Sequence, residues 1–265
     1  MSEACLFVPS DSHFVATDYA RGPWDPRHCH GGPVAALLVR AVEQIADDGI
    51  AWQIARLTIE LTRPVPVQRP LTLASHVERP GKRVSLIAAA LRDADVEVAR
   101  VTALRIRRQA IVLPDGANLA DAPAMPPPES GRHERSGWAS EHRAFHKDAC
   151  EHRFVEGSWS VPGPVAVWIR LLVPVVPGEE PSGVQRVVAA ADFGNGVSGA
   201  LPYQRFLYIN PDLTVHLLRP PAGEWIGMRA SSHYGEQGAG LAESALYDSS
   251  GRLGRSIQSL FVEQR

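Results

Sequence analysis

One phrase is written twice in this chain. Leu57–Pro64 reads Leu-Thr-Ile-Glu-Leu-Thr-Arg-Pro, and Leu213–Pro220 reads Leu-Thr-Val-His-Leu-Leu-Arg-Pro. Both alternate apolar and polar residues, which is the period of a strand with one buried face. Leu57, Ile59 and Leu61 share one side, as do Leu213, Val215 and Leu217. Pro64 and Pro220 lack the N–H a central ladder needs, so each marks the strand's end or edge. The offset between the copies, 57 to 213, is 156 residues. A second pair, Leu91–Arg100 and Leu246–Arg255, repeats at 155. Two echoes in nearly one register predict a motif present in two copies.

The elements between the echoes fit that reading. His13–Ala20 reads as a short strand, and Gly22–Pro26 as a turn. Pro33 is well placed in the first turn of a helix, where its missing N–H costs nothing. Val34, Leu37, Leu38, Ala41, Val42 and Ile45 then form an apolar stripe down to Asp47, with Gly49 as the stop. Strands follow at Ile54–Arg63, Leu71–Glu78, Val84–Leu91 and Val96–Arg107. Val84–Leu91 is almost all small and apolar, as in a strand buried on both faces. Ile111–Gly137 is rich in proline and reads as an exposed linker, with Ser140–Ala149 as a short helix. The pattern then restarts. Glu151–Ser160 and Val165–Val173 read as strands and Pro181–Leu201 as a long helix. Trp225–His233, Leu241–Tyr247 and Leu253–Glu263 complete a second antiparallel set. A lone helix among such strands buries its stripe only against a sheet that curls around it.

Composition narrows the function. A net charge of −2 and a pI near 6.6 offer no basic face for nucleic acid. No window is long and apolar enough for membrane insertion, and the N-terminus lacks the features of a secretory signal. Cys5, Cys29 and Cys150 are odd in number and far apart, so a reducing, cytoplasmic setting is expected. There is no G-x-S-x-G elbow, P-loop or G-x-G-x-x-G. His28-Cys29-His30 alternate in a turn and make a poor metal site; His30 is read as the helix start. His142, His146 and Cys150 would line one helix face, read as solvated rather than as zinc ligands. Neither metal nor cofactor is expected.

With His-Gly-Gly before the first helix, and doubled strands, the chain resembles the acyl-CoA thioesterase II family over nearly its whole length. The resemblance implies an α+β double hotdog: two tandem repeats, each a long helix wrapped by an antiparallel sheet. The implied division is an N-terminal hotdog over 1–110, a Pro-rich linker over 111–150 and a C-terminal hotdog over 151–265. It also implies an acyl-CoA substrate, hydrolysis of the thioester, and possible assembly into a homo-oligomer, to which exposed sheet edges would contribute.

The family's catalytic group is an Asp in the second long helix, a Thr or Asn entering the next strand, and a Gln in the last strand. These carry over to Asp192 (Ala-Ala-Ala-Asp-Phe), Asn210 (Tyr-Ile-Asn-Pro-Asp) and Gln258 (Arg-Ser-Ile-Gln-Ser-Leu). The classical member has Thr at the middle position, so Asn210 departs from it, and Thr214 is held in reserve. At the repeat's offsets, Asn210 matches Ile54 and Gln258 matches Ala103, so only the second half carries the polar set. Burial against Val188 and Phe193 is expected to raise the Asp192 pKa toward that of a general base. Asn210 and Gln258 would hold the attacking water, and the N–H groups at Gly31 and Gly32 would receive the oxyanion. Structural readings stand beside these: Asp192 paired with Arg186 or Arg205, Asn210 as a turn residue, Gln258 as a satisfied core amide. The rival functions are a non-catalytic acyl-CoA-binding protein and a scaffold of the same fold. Hydratases of this fold pair Asp with a His after Asn-Pro, and Asn210-Pro211-Asp212-Leu213 has no such His.

Overall fold

A computed structural model describes residues 4–46, 49–115, 117, 123–136 and 141–265. The first half runs β1 (Phe7–Ser10), β2 (His13–Ala16), α1 (Gly31–Glu43), β3 (Trp52–Glu60), β4 (Pro70–Arg79), β5 (Val84–Asp93) and β6 (Val96–Arg107). After the short β7 (Arg132–His133) come β8 (Cys150–Ser158), β9 (Val161–Leu171), α2 (Gly183–Ala191) and α3 (Gly194–Val197). The chain then forms β10 (Phe206–Ile209), β11 (Asp212–Leu217), β12 (Trp225–Tyr234), β13 (Ala239–Asp248) and β14 (Gly251–Gln264).

The repeated phrases lie against one another. β3 and β11 pair antiparallel, with Thr58 opposite Thr214, Leu57 opposite Val215 and Ile59 opposite Leu213. Thr58 and Thr214 are themselves equivalents at the offset of 156, so the copies meet at their own matching residue. Outward from β3 the order is β6, β5, β4, β2, β1; outward from β11 it is β14, β13, β12, β9, β8, β7. Among the described residues these strands, with β10 paired beside β14, form one 14-stranded sheet. α1 packs on β4, β5 and β6, α2 packs on β9, β11 and β12, and the helices pack on each other. The core is therefore a helix pair covered by the apolar faces of the central strands. Leu37, Leu38, Leu57, Ile59, Ile87, Val187, Val188, Leu213 and Val215 are buried in it, each contributing roughly 1.5–3 kcal/mol of transfer free energy.

Several expectations change. The helix read over Pro181–Leu201 is shorter: α2 ends at Ala191, Asp192 and Phe193 form a turn, and α3 has four residues. A Cβ on Gly194, the first residue of α3, would sit 2.9 Å from Gln258 Oε1 and 3.0 Å from Ser244 Oγ, so glycine lets this turn press closely onto β13 and β14. β5 is buried on one face, not two: Ser85, Ile87, Ala89 and Leu91 point inward, while Val84, Leu86, Ala88 and Ala90 are half-buried. α1 and α2 cover one side of the sheet. β1 had no separate signal, because four residues containing Pro9 and Ser10 carry too little pattern. Asp47 and Ser140 lie outside the described residues. Phe145–Ala149 is a π-helical turn, and His146 and Cys150 are buried rather than solvated. The chain reaches this turn from a segment already docked on the second half, where Trp168 Nε1 donates to Pro126 O at 2.7 Å and Tyr247 Oη to Pro123 O at 2.9 Å.

Candidate active site

Asp192 caps the C-terminus of α2, where the turn aims its carboxylate at the N-terminus of α1. Two glycines allow the approach. A Cβ on Gly31 would lie 2.8 Å from both Asp192 oxygens and from Leu61 Cδ1. A Cβ on Gly32 would lie 2.7 Å from Ala189 O, so Gly32 lets the two helices touch backbone to backbone.

His30 is the N-cap of α1, and its Nδ1 sits 2.6 Å from Asp192 Oδ2. The Gly32 N–H lies 3.2 Å from the same Nδ1. One ring nitrogen cannot both accept from Gly32 and donate to a carboxylate. The shorter contact to a charged group fixes the tautomer, so Nδ1 carries the proton. The Gly32 N–H then turns to the Asp192 carboxylate, which it also reaches.

Two amides complete the shell. Asn210 Nδ2, at the entry to β11, donates to Asp192 Oδ1 at 2.8 Å. Gln258, buried on β14, donates from Nε2 to Asp192 O at 3.2 Å and Oδ1 at 3.4 Å, and accepts from the Asn195 N–H at 3.0 Å through Oε1. The structure thus brings Asp192, Asn210, Gln258 and Gly31 together. Thr214 is elsewhere: its neighbours Leu213 and Val215 face the core, so its side chain leaves the opposite face of the sheet. Arg186 pairs with Glu180, and His30 is the partner of Asp192.

This surrounding reverses the expected pKa shift of Asp192. Burial alone pushes it up, but the His30 ring and its hydrogen bond, Asn210 and the Gly32 N–H outweigh that, holding it below the usual carboxylate value. His152 lies behind, buried and edge-on to Phe193 and Trp159. Burial, with His146, His30 and His133 nearby, pulls it down to about 3, so it stays neutral.

The cluster opens into a pocket of about 390 Å³. Val34, Leu61, Val65, Leu207 and Ile209 give it apolar walls, and Trp24, Trp159 and Phe193 give it aromatic ones. Arg63, the arginine of the first repeated phrase, also lines it. A largely apolar cleft with a few converging polar groups suits a small ligand with one reactive polar centre.

His30 is the residue that sequence reasoning assigned only to the helix start. Its link to Asp192 crosses from the first half to the second, so no local spacing announces it. The packing of one helix's start on the other's end is what creates it. The same holds for Phe145 and Phe193, whose rings lie 5.1 and 4.9 Å from the His30 ring.

The pocket can be set beside known proteins. No curated protein matches the sequence significantly. Solved structures match over nearly the full length. A protein of unknown function with a hot dog fold from Alicyclobacillus acidocaldarius shares 16% identity at a TM-score of 0.71, covering 98% of this chain and 95% of that one. Acyl-CoA thioesterase II TesB2 from Mycobacterium marinum shares 15% at 0.69, covering 97% and 94%. The tesB protein of Mycobacterium avium subs paratuberculosis shares 18% at 0.66, covering 96% and 94%. At such identities these establish a hotdog-type fold. Family models are more specific: the acyl-CoA thioesterase N-terminal domain matches residues 20–106 and the acyl-CoA thioesterase C-terminal domain residues 118–262. The first match holds His30 and both glycines and the second holds Asp192, Asn210 and Gln258, so the two domain models meet at the pocket, and the chain belongs to the acyl-CoA thioesterase family.

Proposed function

We propose that this protein hydrolyses acyl-CoA thioesters to a carboxylic acid and free CoA, and that it is built as a tandem double hotdog. The observation that carries the reading is the convergence of Asp192, Asn210 and Gln258 with the N-terminus of α1 at one apolar pocket. The division into hotdogs over 1–110 and 151–265 about a connecting segment is supported by the mirrored strand order and by Thr58 facing Thr214. The three free cysteines are consistent with a cytoplasmic setting, and no helix among the described residues is long and apolar enough to cross a membrane.

The acyl chain lies along the apolar walls and the thioester carbonyl beside Gly31. Asp192, Asn210 and Gln258 form the polar centre against which a water is activated. The α1 N-terminus favours the negative charge that develops on the carbonyl oxygen. Thr214 plays no part in this geometry. The test is release of free thiol from acyl-CoAs of graded chain length. Turnover on at least one is expected; binding without turnover on any makes the protein a non-catalytic acyl-CoA binder.

The His30–Asp192 contact favours a second reading, hydration of an enoyl-CoA, because a histidine and a carboxylate together can move a proton at carbon. Loss of enoyl absorbance without thiol release would select it.

A further inference from the structure

We propose that His30, through Nε2, is the group that takes the proton from the attacking water, and that Asp192 orients the ring and stabilises the imidazolium it becomes rather than acting on water directly. This rests on the thioesterase reading and assigns a residue within it. The geometry is that of a carboxylate–imidazole pair: Asp192 Oδ2 lies 2.6 Å from Nδ1, which fixes the proton there and leaves the lone pair on Nε2. Among the described residues no protein group hydrogen-bonds Nε2, and this atom is absent from the buried polar atoms without partners. The ring lines the pocket with its side chain 12% exposed, so Nε2 faces the space a water or substrate would fill.

Asp192 is poorly placed for the same task. His30, Asn210, Gln258 and the Gly32 N–H already engage the carboxylate. An anion stabilised this far is a weak base, whereas efficient proton transfer needs a group matched to the working pH. The amides are aimed at the carboxylate, which is how an orienting acid is held behind a histidine. Phe145 and Phe193 pack on the ring and fix its plane. The titratable groups around it are Asp192 from the end of α2, His146 from the π-helical turn, and His152 from β8, which burial keeps neutral. Asp25 and His28 stand at the pocket's rim.

The step balances. The water oxygen bonds to the thioester carbon as its proton passes to Nε2, giving an oxyanion and an imidazolium beside Asp192. The oxyanion collapses, the C–S bond breaks with its electron pair leaving on sulfur, and the imidazolium proton passes to that sulfur. The products are the acid and the CoA thiol.

The experiment measures thiol release over pH 5 to 9 for the wild type, His30→Asn and His30→Ala, with thermal unfolding in parallel. Asparagine is a good N-cap, so His30→Asn retains the helix start while losing the base. Expected is a fall in kcat of roughly 10²–10⁴-fold with little change in KM. The acid limb of the wild-type kcat/KM profile should vanish in His30→Asn, and added imidazole should restore part of the His30→Ala rate. A folded His30→Asn that keeps the wild-type kcat and acid limb overturns the assignment and leaves thioesterase activity standing. A wild type that releases no thiol overturns both.

Discussion

Asp192 is only as useful as the groups that hold it, and each can be tested singly. Gly31→Ala places a methyl 2.8 Å from both carboxylate oxygens. The carboxylate must shift, so kcat should drop by at least about tenfold, since small displacements of catalytic groups are costly. Gly32→Ala meets Ala189 O at 2.7 Å, which is backbone and cannot swing away. That variant should lose roughly 1–3 kcal/mol of stability by overpacking, read as a lower Tm. The contrast separates the two glycines by what a methyl would meet, the site's carboxylate at Gly31 and the helix contact at Gly32. Asp192 also links the site to pH. Its folded-state pKa is depressed, so the stabilisation it provides is present above the unfolded value and lost as pH falls through the folded one. Asn210→Leu removes a donor to the anion and should reduce that acid sensitivity, measured as Tm against pH below 5. Asp192, Asn210 and Gln258 were singled out through the family resemblance, and the structure brings their side chains together. His30 was not singled out, since its role exists only once α1 and α2 have packed. The direction of the Asp192 shift was hidden for the same reason: a sequence shows apolar neighbours, but not a histidine arriving from another element.

At the scale of elements, the two repeated phrases have diverged at their arginines. Arg219, ending the second, clamps the buried Asp248 through two bonds of 2.6 Å. Asp248 also accepts the Ala222 and Ser250 N–H groups, each at 2.8 Å. These contacts outweigh burial and depress its pKa, closing the β13–β14 hairpin onto the chain after β11. Arg63, ending the first phrase, instead lines the pocket. Asp248→Ala would leave Arg219 without its carboxylate partner and should cost about 3 kcal/mol, visible in thermal unfolding. Turnover per folded molecule should stay at the wild-type level, because Asp248 does not line the pocket. The strands were legible because their period of two survives in the residues; Val96–Arg107 is read to its last residue. The end of α2 was not. Apolar residues flank Asp192, and the turn there packs on Ser244 and Gln258 of β13 and β14, which follow only after β10, β11 and β12 and leave no local mark before it.

Over the whole molecule, the helix pair has two ends and the chain treats them differently. At one end the carboxylate of Asp192 meets the N-cap His30. At the other, Glu43 near the end of α1 meets the N-cap of α2: Ser182 Oγ donates to it at 2.7 and 2.9 Å, and Gln185 Nε2 at 2.8 Å. No histidine caps that end, and burial pushes the Glu43 pKa up despite those donors. A raised folded-state pKa favours the protonated form, so its contribution is greatest below the unfolded value and falls as pH rises through the folded one. Glu43→Gln should therefore raise Tm at pH 7 and flatten its decline above pH 4.5. The repeat predicts two like units, and an asymmetry between them is visible in the sequence as polar residues in one copy where the other has apolar ones, Asn210 at the position matched by Ile54. Chemistry at the Asp192 end of the helix pair, as proposed, is tested most directly by one comparison. Thiol release from a panel of acyl-CoAs is measured for the wild type and Asp192→Asn, with acyl-CoA binding measured by calorimetry on both. Expected are wild-type turnover, a loss of roughly 10³-fold or more in Asp192→Asn, and similar affinity. An Asp192→Asn protein that turns over at the wild-type rate would contradict that proposal.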